Sequence, residues 1–156
     1  MVTTRANDRE VQIPAGHLLL PGELSIPGKA LGVIAFAHGS GSSRLSPRNQ
    51  AVARHFQEIG LGTLLCDLLT EEESHTRANV FDLPLLAERL LAATSWLAHE
   101  PSASELPVGY FGASTGAGAA LIAAARVADR VHAVVSRGGR PDLARAGRNR
   151  HHLRRR

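Results

Sequence analysis

Cysteine is nearly missing from this chain of 156 residues; Cys66 is the sole example. That excludes a disulfide framework and a cysteine-based metal site, and it fits a reduced, cytoplasmic setting. Aromatic residues are also scarce, with four Phe, one Tyr and one Trp. The scarcity argues against a base-stacking nucleic-acid module. No run of about 18 apolar residues occurs, so no membrane span is expected. Residues 1–10 are polar and lack the apolar core of a secretory signal, so none is expected. Glu71, Glu72 and Glu73 read as a solvated loop; without histidines at ligating spacing they suggest no metal, and no cofactor is expected.

The formal charge of +4 is unevenly placed. Residues 137–156 hold eight arginines and one aspartate, a net +7, whereas the preceding 136 residues sum to −3. The basic character therefore belongs to the last twenty residues. A tail of this kind opens one functional class, a non-catalytic module that contacts nucleic acid through it in a salt-sensitive way. The body of the chain argues for chemistry instead, and nucleic acid is not the expected partner.

The length suits one domain with a real core. Short strands are expected at 11–13 and 17–20 around a turn at Pro14-Ala15-Gly16, with an edge strand at 23–27. Residues 31–37 form a continuous apolar run that suits a strand buried on both faces. Ser46-Pro47 opens a helix that Gly60 stops, and 61–66 is the next buried strand. Residues 69–79 read as a polar loop. Asp82 caps a long helix whose apolar face is Leu83, Leu86, Leu90, Ala93 and Leu97. A strand at 107–111, an alanine-rich helix at 117–127 and a strand at 131–135 complete the pattern. Strands joined by helices imply an α/β fold, a mostly parallel sheet with helices on both faces. Sites in such sheets lie at the carboxyl ends of the strands, here 38–48, 67–79, 112–116 and 137–142.

One of these ends carries Gly112-Ala113-Ser114-Thr115-Gly116 between a strand and a helix. A G-x-S-x-G in that context is a nucleophile elbow. The turn is so tight that side chains at either glycine would clash, and it lifts the serine hydroxyl off the sheet. A second reading takes Gly112-x-x-x-Gly116-x-Gly118 as the phosphate loop of an NADP-binding, short-chain-dehydrogenase-like oxidoreductase, with Arg137 meeting the 2′-phosphate. Such a loop belongs near the start of a chain, and no Tyr-x-x-x-Lys follows it.

Residues 38–44 (His-Gly-Ser-Gly-Ser-Ser-Arg), 67–70 (Asp-Leu-Leu-Thr), the elbow and 137–142 (Arg-Gly-Gly-Arg-Pro-Asp) together resemble the α/β-hydrolase superfamily. The resemblance is to the dienelactone-hydrolase-like serine hydrolases and covers residues 10–144. Dienelactone hydrolases proper carry cysteine at the elbow; Ser114 stands here, so the lactone substrate is not carried over. The resemblance implies that Ser114 attacks the carbonyl of a small acyl compound, an ester or a related one. The amides of Thr115 and Ser40 would form the oxyanion hole. Asp142 is the candidate acid, one strand earlier than usual, and Arg44 and Arg48 flank the mouth of the cleft as candidate receivers of an anionic group. For the base, His38 reads as a loop brace, His132 as an edge-strand residue, and His151 and His152 lie in the arginine-rich tail. Cys66 reads as a small core residue.

Related hydrolases continue for two more strands and two helices, and residues 145–156 show no apolar periodicity. The expected division is therefore an incomplete hydrolase domain at 1–144 and a disordered basic tail at 145–156, from truncation or a frame change near Leu143. Turnover would then suffer from the missing late Asp and His. The strand at 131–135 would become a sheet edge, favouring a homodimer.

Overall fold

A computed structural model describes residues 7–139. Its elements begin with the hairpin β1 (Asn7–Ala15) and β2 (Leu18–Ile26). They continue with β3 (Val33–Ala37), α1 (Pro47–Glu58), β4 (Gly62–Cys66), α2 (Glu71–Ser74) and α3 (Arg77–Val80). The last are α4 (Leu83–His99), β5 (Val108–Ala113), α5 (Thr115–Arg126) and β6 (Val131–Arg137). Among these residues the strands form one sheet in the order β1-β2-β4-β3-β5-β6. Neighbours from β4 to β6 run parallel, and β2 joins β4 antiparallel. The sheet is thus mostly parallel, the α/β hydrolase arrangement expected from the sequence. The chain steps from β3 to β4 on one side and returns to β5 on the other. The switch point falls between the carboxyl ends of β3 and β5, where such sheets open a crevice.

Helices cover both faces. Phe36 and Phe111 point to the α1 face and pack with Phe56 of that helix, ring centroids 5.2 to 6.1 Å apart. Val33, Ala35 and Ala37 point the other way, against Leu86, Leu90, Ala93 and Leu97 of α4 and the alanines of α5. The α4 stripe is therefore the expected one. Ser46 Oγ accepts from the Asn49 amide and Asp82 from the Leu85 amide (3.4 and 3.1 Å), so both expected helix caps are in place.

Two expectations need correction. The three short strands expected at the start are one hairpin of two nine-residue strands, turning at Gly16-His17 rather than at Pro14-Ala15-Gly16. Gly16 has φ 62°, as the first central position of a tight two-residue hairpin loop demands. Pro21 does not break β2. Its carbonyl accepts from the Asp67 amide (3.0 Å), and an antiparallel residue presents N and O to the same side. The missing N–H therefore faces the end of the β4 ladder, where pairing begins at Gly22–Cys66.

Residues 69–79 hold α2 and α3 rather than a polar loop, and Glu73 is not a solvated residue. The Thr70 hydroxyl accepts from the Glu73 amide (3.2 Å), and the Glu73 carboxylate accepts from the Thr70 amide (3.0 Å), a capping box. Arg89 of α4 then donates twice to the same carboxylate (2.9 and 2.7 Å). A four-residue helix has no stability of its own; Glu73 ties it to α4.

The Arg89 bonds hold the Glu73 carboxyl below the usual carboxylate range, against the opposing pull of burial. A depressed folded value means that the contribution is complete above the unfolded pKa, about 4.3. It fades as pH falls through the lowered folded value. Glu73→Ala is therefore expected to cost about 1–2 kcal/mol at neutral pH. Urea unfolding should show that difference shrinking as pH falls below about 4; a cost unchanged at acid pH would refute the ion-pair origin.

Candidate active site

Ser114 occupies the N-cap of α5 with φ 54° and ψ −121°. A non-glycine residue in that region carries roughly 1–3 kcal/mol of strain and persists only where its surroundings dictate it. Those surroundings are visible. The Ser114 amide donates to the Arg137 carbonyl of β6 (3.1 Å), and the Ser114 carbonyl accepts from the Ala117 amide (3.1 Å). A Cβ on Gly112 would stand 2.5 Å from Ala117 Cα. One on Gly116 would stand 2.0 Å from the Ala37 carbonyl oxygen and 2.5 Å from that of His38. Both flanking glycines are thus forced, as the sequence reading required. The turn leaves Ser114 exposed and Thr115 buried.

The loop after β3 lies directly against this turn. A Cβ on Gly39 would meet the Ala113 oxygen and Ser114 Cβ, each at 3.0 Å. Ser40 follows immediately. Neither the Ser40 amide nor the Thr115 amide donates to a backbone oxygen among the turn and loop bonds of the described residues. Thr115, as the first residue of a helix, has no partner within it. Beside the turn is a cavity of about 580 Å³, walled by residues 38–45, Asp67, Leu69, Thr70, the start of α2, Leu86 and Thr115. Ser114 itself is not in the wall; Gly39 and Thr115, which adjoin it, are.

His38 is a brace. Its Nε2 accepts from the Leu68 amide (2.9 Å), which leaves the proton on Nδ1, 3.0 Å from the Gly39 carbonyl that accepts it. Neither ring nitrogen remains to take a proton from Ser114. His132 is exposed on β6, five residues before Arg137, which pairs with Ala113. At 3.3 Å per residue that is roughly 16 Å down the sheet from the elbow. Asp142, His151 and His152 lie outside the described residues, as does the tail at 145–156.

The two candidate arginines separate. Arg44 lines the cavity, but its amide and its guanidinium donate to the two carboxylate oxygens of Asp67 (2.7 and 2.6 Å). Its charge is met inside the protein. Arg48 is exposed on the first turn of α1 and is absent from the cavity wall, so it does not join the site. Asp67 had no role in the sequence reading beyond its place in a motif. The available signal was an acid at the carboxyl end of a buried strand, two loops from an arginine. Cys66 next to it is inert: burial, then the Asp67 charge, pushes its thiol up to about 12.

The dinucleotide alternative fails on geometry. The Ala37 and His38 carbonyls close over Gly116, where a phosphate loop needs open amides, and the Arg137 guanidinium lies over the Phe111 ring at 5.8 Å. Among the described residues no group of three or more His, Cys, Asp or Glu side chains is placed to hold a metal ion.

Gly116→Ala tests the elbow. A methyl group there has backbone oxygens on its path, so β3 and α5 must part. A loss of about 3 kcal/mol or more is expected in denaturant unfolding. A variant as stable as the parent would show that the close approach is absent.

No family model matches the chain. It is 61% identical over 137 residues to a Mycobacterium tuberculosis protein, found in two strains, that bears the name "Putative phosphoribosyl transferase". The match takes in 88% of this chain and 31% of the relative, so the chain spans about a third of the length of the curated relatives it matches. The crystal structure of a dienelactone hydrolase from Anabaena variabilis superposes with a TM-score of 0.88 at 55% identity, covering 91% of this chain and 68% of that one. A dienelactone hydrolase-like promiscuous phosphotriesterase from metagenomic libraries shares the fold at 20% identity, with a TM-score of 0.70 over 86% of this chain and 60% of its own. With the elbow and its flanking loops in place, and at that level of identity across two thirds of a solved dienelactone hydrolase, this chain belongs to the dienelactone hydrolase-like α/β hydrolases.

Proposed function

We propose that this chain carries the nucleophile and the oxyanion donors of a serine hydrolase acting on esters or related acyl compounds. Ser114 Oγ attacks the acyl carbonyl carbon and gives up its proton to a base. The carbonyl oxygen becomes an oxyanion that accepts from the Thr115 and Ser40 amides. Collapse expels the alcohol, protonated as it leaves, and an acyl-enzyme remains on Ser114. Water then attacks the acyl carbon and releases the acid and the free serine. His38 is not the base, because both its nitrogens are bonded, and His132 is too far away.

The observation that carries this reading is the strained Ser114, exposed at the head of α5 with the Gly39 backbone against its Cβ. A serine that served only to cap a helix would adopt ordinary extended angles and bond the first turn; Ser114 makes no such side-chain bond. Solved neighbours of the same fold include an esterase of Pyrococcus furiosus, which agrees with acyl chemistry on this scaffold. The name of the mycobacterial relative belongs to a protein of which two thirds lies outside the match. Among the described residues no helix is long and apolar enough to cross a membrane. A small acyl compound is the proposed partner.

A fluorophosphonate probe should label the peptide that bears Ser114, as read by mass spectrometry. In Ser114→Ala the label should vanish and turnover of a p-nitrophenyl ester should fall by about 1,000-fold or more. Equal labelling of the parent and the variant would overturn the proposal.

A further inference from the structure

Resting on the serine-hydrolase reading, we propose that the cavity beside Ser114 selects uncharged acyl groups and turns away substrates that carry a carboxylate. Among the described residues its wall holds three formally charged side chains, Arg44, Asp67 and Glu71. One is a cation and two are anions. The cation is spent. Both Asp67 oxygens are engaged by Arg44, one by its amide and one by its guanidinium, at 2.7 and 2.6 Å. The two side chains are mostly buried, 23% and 15% exposed.

The pair is also fixed from behind. The Asp67 amide donates to the Pro21 carbonyl, and the next amide, Leu68, donates to His38 Nε2. The Asp67 backbone is therefore held in place, and its carboxylate is tied to Arg44 at both the amide and the guanidinium. To the cavity, Arg44 and Asp67 present a short dipole instead of a positive charge. Glu71 stands exposed at the start of α2 and adds a negative one. A carboxylate entering here loses its water and meets a wall whose net charge is its own sign. An uncharged group loses less water and meets serine hydroxyls and the apolar side chains of Leu69, Val80 and Leu86.

The test compares two probes of one skeleton, dimethyl succinate and monomethyl succinate, titrated into the Ser114→Ala protein and followed by ligand-observed NMR. The diester should bind about tenfold tighter than the anionic monoester, and a tenfold rise in ionic strength should narrow the gap. Adding Asp67→Asn frees Arg44 and should shift the ratio about tenfold toward the monoester. If that variant does not fold, Glu71→Gln, on an exposed position, should shift it about twofold in the same direction. Equal or tighter binding of the monoester overturns the proposal, as does no saturable binding of the diester. A ratio that ignores salt, or that ignores whichever of the two charge variants is folded, overturns it too. These readouts involve no turnover, so they stand apart from the labelling of Ser114. Selective binding with no label on Ser114 would sink the serine-hydrolase reading alone, and a labelled Ser114 with no selectivity would sink this one alone.

Discussion

The structure turns on a distance too short for a methyl group. The end of β3 presses its Ala37 and His38 carbonyls onto Gly116, while Gly112 lies under Ala117. The end of β3 thus meets the β5–α5 turn, far along the chain from it, with no clearance. Once they do, the residue between the two glycines has nowhere to put its backbone except the left-handed region, and its side chain can only point outward. The strain at Ser114 is a consequence of packing, with β6 supplying the last bond through the Arg137 carbonyl. Large buried areas make this possible. The aromatic cluster on the α1 face and the aliphatic stripe of α4 on the other face clamp the strands that carry the strained turn.

The same economy shapes the cavity. Its floor is a knot of short-range polar contacts at the carboxyl ends of β3 and β4. His38 holds Leu68, Arg44 holds Asp67, and the Asp67 amide holds Pro21 of the neighbouring antiparallel strand. Its far side is α2, too short to exist alone and anchored to α4 through Glu73 and Arg89. Polar side chains that a simple count would give to the substrate are used here to hold loops. That use explains why a histidine and an arginine beside a nucleophile-like serine are neither base nor bare anion receptor.

Membership of the dienelactone hydrolase-like group fits this division of labour. The sheet with its helices is the shared platform, and 55% identity to the Anabaena variabilis dienelactone hydrolase is spread over 91% of this chain. Substrate preference is written on the loops around the platform, through the charge and size of what lines the crevice. In this chain the crevice presents an arginine, Arg44, already neutralised by its own aspartate, Asp67.

Much of this was legible in the residues. Gly112-x-Ser114-x-Gly116 between an apolar run and an alanine-rich run specifies a strand, a strained turn and a helix, because the clash that Gly112 avoids, with Ala117, is local to those few residues. That Gly116 also answers to the Ala37 and His38 carbonyls is visible only in the fold. The α4 stripe and the caps at Ser46 and Asp82 were equally local and equally readable. The unbroken β2 was not, since only β4 as its neighbour shows which way the missing N–H of Pro21 faces. Nor was α2: its Thr-x-x-Glu capping pattern was present, but a four-residue helix is held by Arg89, sixteen residues on. The partners of His38 and Arg44 likewise lie thirty and twenty-three residues away, across a parallel crossover. The sequence by itself determined where a serine would be strained and lifted. Only the tertiary structure decided which charged neighbours remained for chemistry, because hydrogen-bond partners brought together by sheet register leave no trace in spacing along the chain.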